Sequence, residues 1–252
     1  MKIGITERGD AALDLSWVNA CKTRQVDGCV AITKNCTPVF TRAVLDLTRD
    51  GFPVIVHATC TGWGGTPMEP NVPDFKTQLE HACWIVGVGL PASRLVFRID
   101  PIIPTAEGLE KAKAVLDTLE SFHLTRPRIR VSVMDGYRHA LARMQARGCD
   151  VTGLEYQATD AQMKQVSDLL HNYPFLYETC AEPRLVKLDP KRFLQTGCVS
   201  HVDLKVMNLL PIRPWDINGQ KRNGCMCLTC KTELLSNRHP CGHNCAYCYW
   251  KD

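Results

Sequence analysis

Near the end of the sequence, three cysteines stand close together in the spacing C-x3-C-x2-C. They are Cys241, Cys245 and Cys248, and an aromatic residue, Tyr247, precedes the last of them. Three thiolates on one short loop can hold three irons of a [4Fe-4S] cube and leave the fourth iron without a protein ligand. Such an open iron can chelate the amino and carboxylate groups of a cofactor, whereas a cluster with four thiolates mainly carries electrons. The spacing therefore favours a cluster that binds a small molecule.

The sequence is rich in cysteine throughout, with 14 residues of this type in 252. Cys225, Cys227 and Cys230 lie shortly before the terminal pattern, and Cys180 and Cys198 stand apart in the last third. The other six are scattered, and we expect them to pack in the core as small hydrophobic side chains. They are Cys21, Cys29, Cys36, Cys60, Cys83 and Cys149.

No segment is typical of export or of membrane insertion. Glu7, Arg8 and Asp10 fall where a signal peptide would be apolar, and the longest apolar run, residues 83–90, is too short to span a bilayer. We therefore expect a cytoplasmic protein with no membrane partner. Because the cytoplasm keeps thiols reduced, the cysteines are expected to be core residues, nucleophiles or metal ligands and not disulfides.

The composition is ordinary for a globular protein, with 45% hydrophobic and 22% charged residues, which excludes a disordered or collagen-like chain. A formal net charge of +4 permits a nucleic-acid or phosphate partner without requiring one. Six arginines surround one predicted strand and the helix after it. They could contact phosphates, or they could form the solvated face of that helix. They are Arg126, Arg128, Arg130, Arg138, Arg143 and Arg147.

Short apolar runs alternate with amphipathic stretches through the first two-thirds of the sequence. The predicted strands, each rich in Val, Ile and Phe, are residues 2–6, 28–33, 53–59, 94–100, 128–134 and 174–179. The predicted helices are residues 12–24, 38–49, 74–87, 106–123, 137–147 and 160–171. Six strand–helix units indicate an α/β fold with parallel strands joined by crossovers, namely a partial (β/α)6 TIM-type barrel.

After about Leu188, prolines and glycines interrupt this pattern. We therefore predict a partial β/α barrel over residues 1–187 and a cysteine-rich, cluster-binding extension over residues 188–252. Polar residues follow three of the predicted strands, at the sheet edge where such folds place their chemistry. Glu69 lies in a glycine-rich loop, Arg98 and Asp100 share a strand face, and Ser132 ends the next strand.

The terminal motif, including Tyr247, resembles the signature of the radical S-adenosylmethionine (SAM) superfamily. In that superfamily the motif usually lies near the N-terminus. Its position here resembles one bacterial and phage family of unassigned activity whose motif is C-terminal, as if the barrel were circularly permuted. Further family-like stretches run through the chain: Thr33-Lys34-Asn35 and residues 59–73, 98–102, 132–137, 179–182, 220–222 and 225–227.

The resemblance implies both a mechanism and the ligands of its cluster. Cys241, Cys245 and Cys248 would ligate a [4Fe-4S] cluster, and SAM would chelate the open iron. A one-electron reductant of the flavodoxin or ferredoxin type would drive cleavage of SAM to methionine and a 5′-deoxyadenosyl radical, which abstracts a hydrogen from an unactivated carbon. The protein would position the substrate carbon and exclude water.

The resemblance also suggests residues around SAM. Gly64, Gly65 and Glu69 are similar to the Gly-Gly-Glu-Pro segment that binds the SAM amino group, although three residues intervene before Glu69. Tyr247 is a further cofactor-binding candidate. Three candidates for contacts to the ribose or carboxylate, which could instead form an internal salt bridge and a capped turn, are Arg98, Asp100 and Ser132.

Four other cysteines align with additional ligands of the family and would hold an auxiliary [4Fe-4S] cluster: Cys180, Cys198, Cys225 and Cys227. The sequence alone offers a rival set, because Cys225, Cys227 and Cys230 are the compact group, and Cys230 is the expected substitute ligand. With four thiolates the auxiliary cluster would relay electrons, and with three it could bind substrate.

The substrate is suggested by the occurrence of the family in phages that modify their DNA. We expect a modified DNA base or nucleotide in a bacterial or phage-infected cell, with rearrangement of an amino-acid-decorated pyrimidine as one such reaction. A radical SAM oxidoreductase or lyase acting on a small molecule or peptide is the alternative. A second alternative is a non-catalytic, nucleic-acid-binding protein with iron–sulfur or zinc sites. The zinc ligands would come from Cys225, Cys227, Cys230, Cys241, Cys245, Cys248, His239 and His243.

Overall fold

The computed structural model describes residues 1–209, 224–235 and 241–250. Two features of the sequence, the stretch 220–222 and the zinc candidate His239, lie outside these ranges. The described residues form an α/β fold in which one parallel sheet curls into a half-barrel. None of their helices combines the length and the apolar character that crossing a bilayer would need.

Eight parallel strands are ordered β7-β6-β5-β4-β3-β2-β1-β8. They are β1 (Ile3–Ile5), β2 (Gly28–Thr33), β3 (Val54–Thr59), β4 (Leu95–Ile102), β5 (Arg128–Val133), β6 (Tyr177–Cys180), β7 (Phe193–Thr196) and β8 (Lys231–Glu233). The helices are α1 (Ser16–Thr23), α2 (Pro38–Arg49), α3 (Phe75–Gly87), α4 (Ala106–Ser121), α5 (Arg138–Ala146), α6 (Asp160–His171), α7 (Pro183–Leu188) and α8 (His201–Val206). A short 3-10 helix covers Ala92–Arg94.

Local sequence explains where the helices begin and which face they bury. At the start of α6, the Thr159 side chain accepts the Gln162 amide N–H, and the Gln162 side chain accepts the Thr159 amide N–H in return. This reciprocal cap satisfies amide groups that have no partner inside the helix. Met163, Val166 and Leu170 follow at helical spacing and are buried, so α6 packs one apolar stripe on the sheet.

Alternate residues of each strand face opposite sides of the sheet. On the outer side, Val54 and Val56 of β3 join the large core that contains Phe40 of α2. On the inner, concave side, Ile55 of β3 joins a second apolar cluster that contains Cys180 of β6. The helices therefore cover the outer face, and the cysteines of the last third of the chain approach the inner face.

Charged side chains fill part of the concave face. Arg130 is fully buried and contacts Glu178 and Asp203, with its N–H groups 3.2 Å from an Asp203 oxygen. Arg128 reaches the same carboxylates, each at 2.7 Å. The Arg130 guanidinium also lies 3.1 Å from Nε2 of His57. Each of these buried charges is therefore paired, as the low dielectric of an interior requires.

The α/β prediction is confirmed, and each of the six predicted strands and six predicted helices is present. The number of strands was wrong, because the sheet has eight and not six. The two missed strands, β7 and β8, lie after residue 187, where the sequence analysis predicted an irregular extension. Both are short. β8 is Lys-Thr-Glu, with no apolar residue, and β7 has only two apolar residues, Phe193 and Leu194, so neither shows the apolar run that predicts a strand. The domain boundary at residue 187 stays a prediction.

Candidate functional site

The terminal cysteine loop, defined as residues 241–250, docks at the carboxyl ends of β1, β2 and β3. Its His243 is buried and lies 3.0 Å from a carboxylate oxygen of Asp10, which follows β1. Asn71, in the loop after β3, donates to the Gly242 carbonyl at 2.7 Å, and the Ala246 amide donates to the Met68 carbonyl at 2.8 Å. The motif that is last in the sequence thus lies beside the first three strands.

The three thiols of this loop are near neighbours in a largely buried setting. Burial raises the pKa of Cys245 to about 12, the charges of Cys248 and Cys241 also raise it, and the charge of Lys34 lowers it. Cys245 is buried, whereas Cys241 and Cys248 are half-buried. Three adjacent thiols without disulfide bonds are a donor set that suits iron–sulfur ligation.

Glu69 is the buried carboxylate beside this loop. Its Oε1 accepts hydrogen bonds from Lys34 Nζ at 2.6 Å, from Thr61 at 2.8 Å and from the Tyr247 hydroxyl. Its Oε2 is buried and has no hydrogen-bond partner in the described part of the chain. Leaving a buried carboxylate oxygen unsatisfied costs free energy. This oxygen is therefore suited to a donor group of a bound molecule.

The Gly-Gly segment and Glu69 are adjacent in space despite the three intervening residues. Gly64 and Glu69 form a parallel bridge, and the Gly65 amide donates to the Glu69 carbonyl at 3.1 Å. A Cβ on Gly64 would lie 1.8 Å from the Pro73 carbonyl oxygen, so this position requires glycine. The tight loop after β3 is what directs Glu69 toward the cysteines.

We expect Gly64→Ala to destabilise the protein by about 1–3 kcal/mol, because a methyl group would force the Pro73 backbone aside. Urea denaturation of the metal-free protein measures this loss. Gly65→Ala is the matched control. Its φ of +76° is strained for alanine, but a Cβ there meets no atom within 4 Å, so only about 1–2 kcal/mol of backbone strain is expected. A smaller loss of stability in Gly64→Ala than in Gly65→Ala would contradict the steric requirement for glycine at position 64.

The structure brings the four predicted auxiliary ligands together on the concave face. The thiol sulfurs of Cys180 and Cys198 are 3.4 Å apart. The Cys198 amide donates to the Cys227 sulfur at 3.1 Å, and the Cys227 amide donates to the Cys225 sulfur at 3.4 Å. All four side chains are buried. We call this group the cysteine tetrad.

Two thiols of the tetrad ionise readily. A hydrogen bond from Cys227 lowers the pKa of Cys225 to about 6. Hydrogen bonds with Cys180 and Cys198 lower the pKa of Cys227 to about 7. The thiolate is the form that binds metals, so these two are prepared to act as ligands near neutral pH.

The metal-free protein should therefore form thiolates below pH 8. We expect the thiolate absorbance near ~240 nm to rise between about pH 5 and pH 8, as pH passes the lowered pKa values of Cys225 and Cys227. The Cys225→Ser/Cys227→Ser double variant is the control and should lack this step. A flat absorbance up to pH 8 in the parent protein would contradict the expectation.

In the described residues, no ligand set, favoured or rival, is arranged around a position for a metal ion. Cys230 is half-buried and packs against the same apolar cluster as the tetrad, and its carbonyl accepts the Ile3 amide N–H. For the zinc alternative, His243 lies against Asp10 and the Asn71 carbonyl and not against a cysteine. Within residues 1–209, 224–235 and 241–250, no three His, Cys, Asp or Glu side chains surround a position suited to a metal ion. A cluster between Cys180 and Cys198 would require their thiols to move apart.

The three ribose or carboxylate candidates contact one another. Arg98 pairs with Asp100, and the Ser132 hydroxyl donates to the same carboxylate. This is the internal salt bridge that the sequence analysis held as the alternative. The Arg98 Nε–H is buried without a hydrogen-bond partner among the described residues, so a bound group could still complete its hydrogen bonding.

Four of the six arginines of the stretch make internal contacts. Arg128 and Arg130 belong to the buried charge network of the concave face. Arg143 and Arg147 bind the terminal cysteine loop through its backbone. The remaining two, which are exposed, are Arg126 and Arg138. A stretch that resembles a solvated or phosphate-binding face is therefore mostly occupied by internal contacts.

Comparison with known proteins places the chain in a family. The family described as Domain of unknown function (DUF1848) matches residues 14–250. The chain belongs to this family. No curated protein matches it. Among solved structures, the crystal structure of KGPDC from Streptococcus mutans is similar at 13% identity over 82% of this chain and 94% of that chain, with a TM-score of 0.30. A likeness this remote carries no inference about fold or function.

In this DUF1848 protein, the structure adds Lys34 and Asp10, which the sequence analysis did not single out for a role, and it pairs the zinc candidate His243 with Asp10. Lys34 joins Glu69 to Tyr247, donating to both within 2.8 Å. Asp10 and His243 join β1 to the terminal cysteine loop. Lys34 did stand in a family-like stretch after a predicted strand, which was the available signal. The pairing of Asp10 with a residue near the other end of the chain had no local signal.

Proposed function

We propose that this protein is a radical SAM enzyme with its cofactor site at Cys241, Cys245 and Cys248. The observation that carries the proposal is the buried Glu69 Oε2 beside the three thiols, which has no hydrogen-bond partner among the described residues. A carboxylate oxygen in that position suits the protonated amino group of SAM, because a charge-assisted hydrogen bond would satisfy it. The C-x3-C-x2-C spacing supplies three thiolates and not four, which suits a cluster with one open iron.

The donor set around the cofactor site fits such a group. When bound, a [4Fe-4S] cluster with SAM supplies one-electron cleavage of SAM and removal of a hydrogen atom from a substrate carbon. Glu69 would bind the SAM amino group. Lys34 is positioned to balance the charge of Glu69, since burial lowers the pKa of Lys34 but the nearby carboxylate outweighs this effect and raises it. Tyr247, bonded to both, would keep the two side chains oriented.

We propose that the cysteine tetrad holds a second [4Fe-4S] cluster. Its four buried thiols and the two lowered pKa values support ligation by Cys180, Cys198, Cys225 and Cys227. Four thiolates would complete the coordination of the cluster, so an electron-relay role is favoured over substrate binding. The electron would come from a one-electron reductant of the flavodoxin or ferredoxin type.

Polar side chains near the tetrad are the proposed substrate-binding groups. Lys231 donates to Glu7 at 2.9 Å, and Arg98 pairs with Asp100. Burial raises the pKa of Glu7, and the charge of Cys198 adds to this effect. Opposite charges placed together suit a zwitterionic group, such as the amino acid of a decorated pyrimidine. A modified DNA base or nucleotide is therefore the substrate class we propose to test first.

Anaerobic reconstitution with iron and sulfide, followed by incubation with SAM and dithionite, tests the proposal. We expect a brown protein that absorbs near ~400 nm and contains roughly eight irons per chain, and we expect 5′-deoxyadenosine and methionine as products. Modified duplex DNA added to the same reaction, then digested to nucleosides for mass spectrometry, tests the substrate class. A colourless protein with one or two zinc ions and no 5′-deoxyadenosine would overturn the enzyme proposal.

A further inference from the structure

Three donor side chains lie on one face of α5 and of the residue that caps its C-terminus. They are His139, Arg143 and Arg147, spaced four residues apart, so they form a stripe along the helix. Each of them binds backbone of the terminal cysteine loop, residues 241–250. We call these three residues the α5 stripe.

The stripe contacts the loop in reverse chain order. The Arg147 guanidinium donates to the Asn244 carbonyl at 2.7 Å and to the Asn244 side chain at 3.0 Å. The Arg143 Nε–H donates to the Ala246 carbonyl at 3.2 Å, and another of its N–H groups donates to the Cys248 carbonyl. His139 Nε2 lies 3.2 Å from the Tyr249 carbonyl.

Two turns inside the loop, closed by hydrogen bonds from the Asn244 amide to the Cys241 carbonyl and from the Cys248 amide to the Cys245 carbonyl, leave other carbonyls of the loop to external donors. The loop forms no helix or strand in the described residues, so ladder hydrogen bonds do not determine its conformation. On the side away from α5, Asn71 binds the Gly242 carbonyl. Carbonyls spread along the whole loop are therefore held by donors outside it.

Arginine is chemically suited to this task. Its planar group donates in fixed directions and can bind two acceptors at once, as Arg143 does with Ala246 and Cys248. Lysine carries the same charge, but its ammonium group cannot donate to two acceptors in the fixed directions of a planar guanidinium. A requirement for charge alone and a requirement for geometry can thus be separated by substitution.

We propose that Arg143 and Arg147 are positioning residues that hold the terminal cysteine loop in the conformation that receives the cluster and SAM. The part of this inference that concerns the cluster and SAM rests on the proposed function. Whether the two arginines hold the loop can be measured independently of that function. The two residues act on the cysteines through the backbone of the loop, so their role is to position the ligands and not to take part in the chemistry.

The first test is hydrogen–deuterium exchange of the metal-free protein, followed by mass spectrometry. We expect backbone amides of residues 241–250 to exchange at least about tenfold faster in Arg143→Ala and in Arg147→Ala than in the parent protein. Arg138→Ala is the control, because Arg138 is exposed on the same helix and carries the same charge. It should leave exchange of the loop unchanged. Parent-like exchange in both Arg143→Ala and Arg147→Ala would overturn the proposal.

The second test follows the reconstituted protein by electron paramagnetic resonance and iron analysis. We expect Arg143→Ala to lose the change that SAM causes in the spectrum of the reduced cluster, while the tetrad retains roughly four irons. Arg143→Lys should recover only part of the response, and it serves as the folded variant if Arg143→Ala does not fold. A full response to SAM in Arg143→Lys would contradict the claim that the planar geometry of arginine is required. A parent protein whose spectrum never responds to SAM would instead contradict the proposed function. The hydrogen–deuterium exchange result would then decide alone whether Arg143 and Arg147 hold the loop.

Discussion

Cys245→Ala is expected to abolish 5′-deoxyadenosine formation and to leave roughly four of the eight irons in the reconstituted protein. The reason is that Cys245 is the central proposed ligand of the terminal loop and the one that is buried beside Lys34 and Glu69. Because the loop supplies only three thiolates, no other cysteine of the loop can replace the one that is removed. The measurement is chromatography of the SAM-cleavage products together with iron analysis of the same sample.

Two further variants make this result interpretable. Cys227→Ala should also lose roughly four irons, but those of the tetrad, and dithionite should still support SAM cleavage because it reduces the other cluster directly. Cys83→Ala is the matched control, since Cys83 lies on α3 and belongs to neither the terminal cysteine loop nor the cysteine tetrad. If Cys245→Ala cleaves SAM at the parent rate, the terminal loop is not the cofactor site.

Arg130→Met is expected to lower the free energy of unfolding by about 3–5 kcal/mol, because it leaves Arg128 as the one arginine beside two buried carboxylates, Glu178 and Asp203. Arg130 is fully buried between Glu178 and Asp203 and also donates to the Cys198 carbonyl at 3.2 Å. Methionine preserves much of the volume, so the loss would come mainly from the uncompensated charge. Urea denaturation of the metal-free protein measures it, and Arg126→Ala, at an exposed site, should change stability by less than about 0.5 kcal/mol.

The pH dependence of this loss has a defined sign. Burial raises the pKa of Asp203, but the charges of Arg130 and Arg128 outweigh burial and hold the pKa below its ordinary value. In the parent, the stabilisation from Asp203 is therefore present above the ordinary pKa and is lost as pH falls through the lowered one. In Arg130→Met the pKa rises, and protonation relieves the buried charge. The difference between variant and parent should shrink from pH 7 toward pH 4, and a constant difference would contradict this explanation.

Secondary structure of the first two-thirds of the chain was predictable because each element carries its own signal. The strand at Gly28–Thr33 and the helices at Pro38–Arg49 and Asp160–His171 were predicted with their observed bounds. Apolar runs and caps act within a few residues, so they are visible in sequence. Strands β7 and β8 lack that signal, and their pairing partners are what make them strands.

The candidate site was partly predictable for a different reason. Spacing alone marked Cys241, Cys245 and Cys248 as one group, because residues so close in sequence are close in space. No spacing rule could join Cys180 to Cys227 or predict that Arg143 would bind the backbone of the terminal loop. The grouping of Cys180 with Cys227 came from resemblance to a family, and the contact of Arg143 with the loop came only from the structure.

The order of chemical groups along the chain is a property of the sequence, whereas their convergence is a property of the curled sheet. The sequence by itself determined the alternating strand and helix units and the three-thiol motif, since both depend on neighbouring residues. The tertiary structure decided that this motif meets Glu69 and Lys34. It also decided that the tetrad forms from the end of β6, the residues after β7 and the segment before β8. The physical reason is that parallel strands carry their carboxyl ends to one edge, so residues far apart in the chain share one buried space.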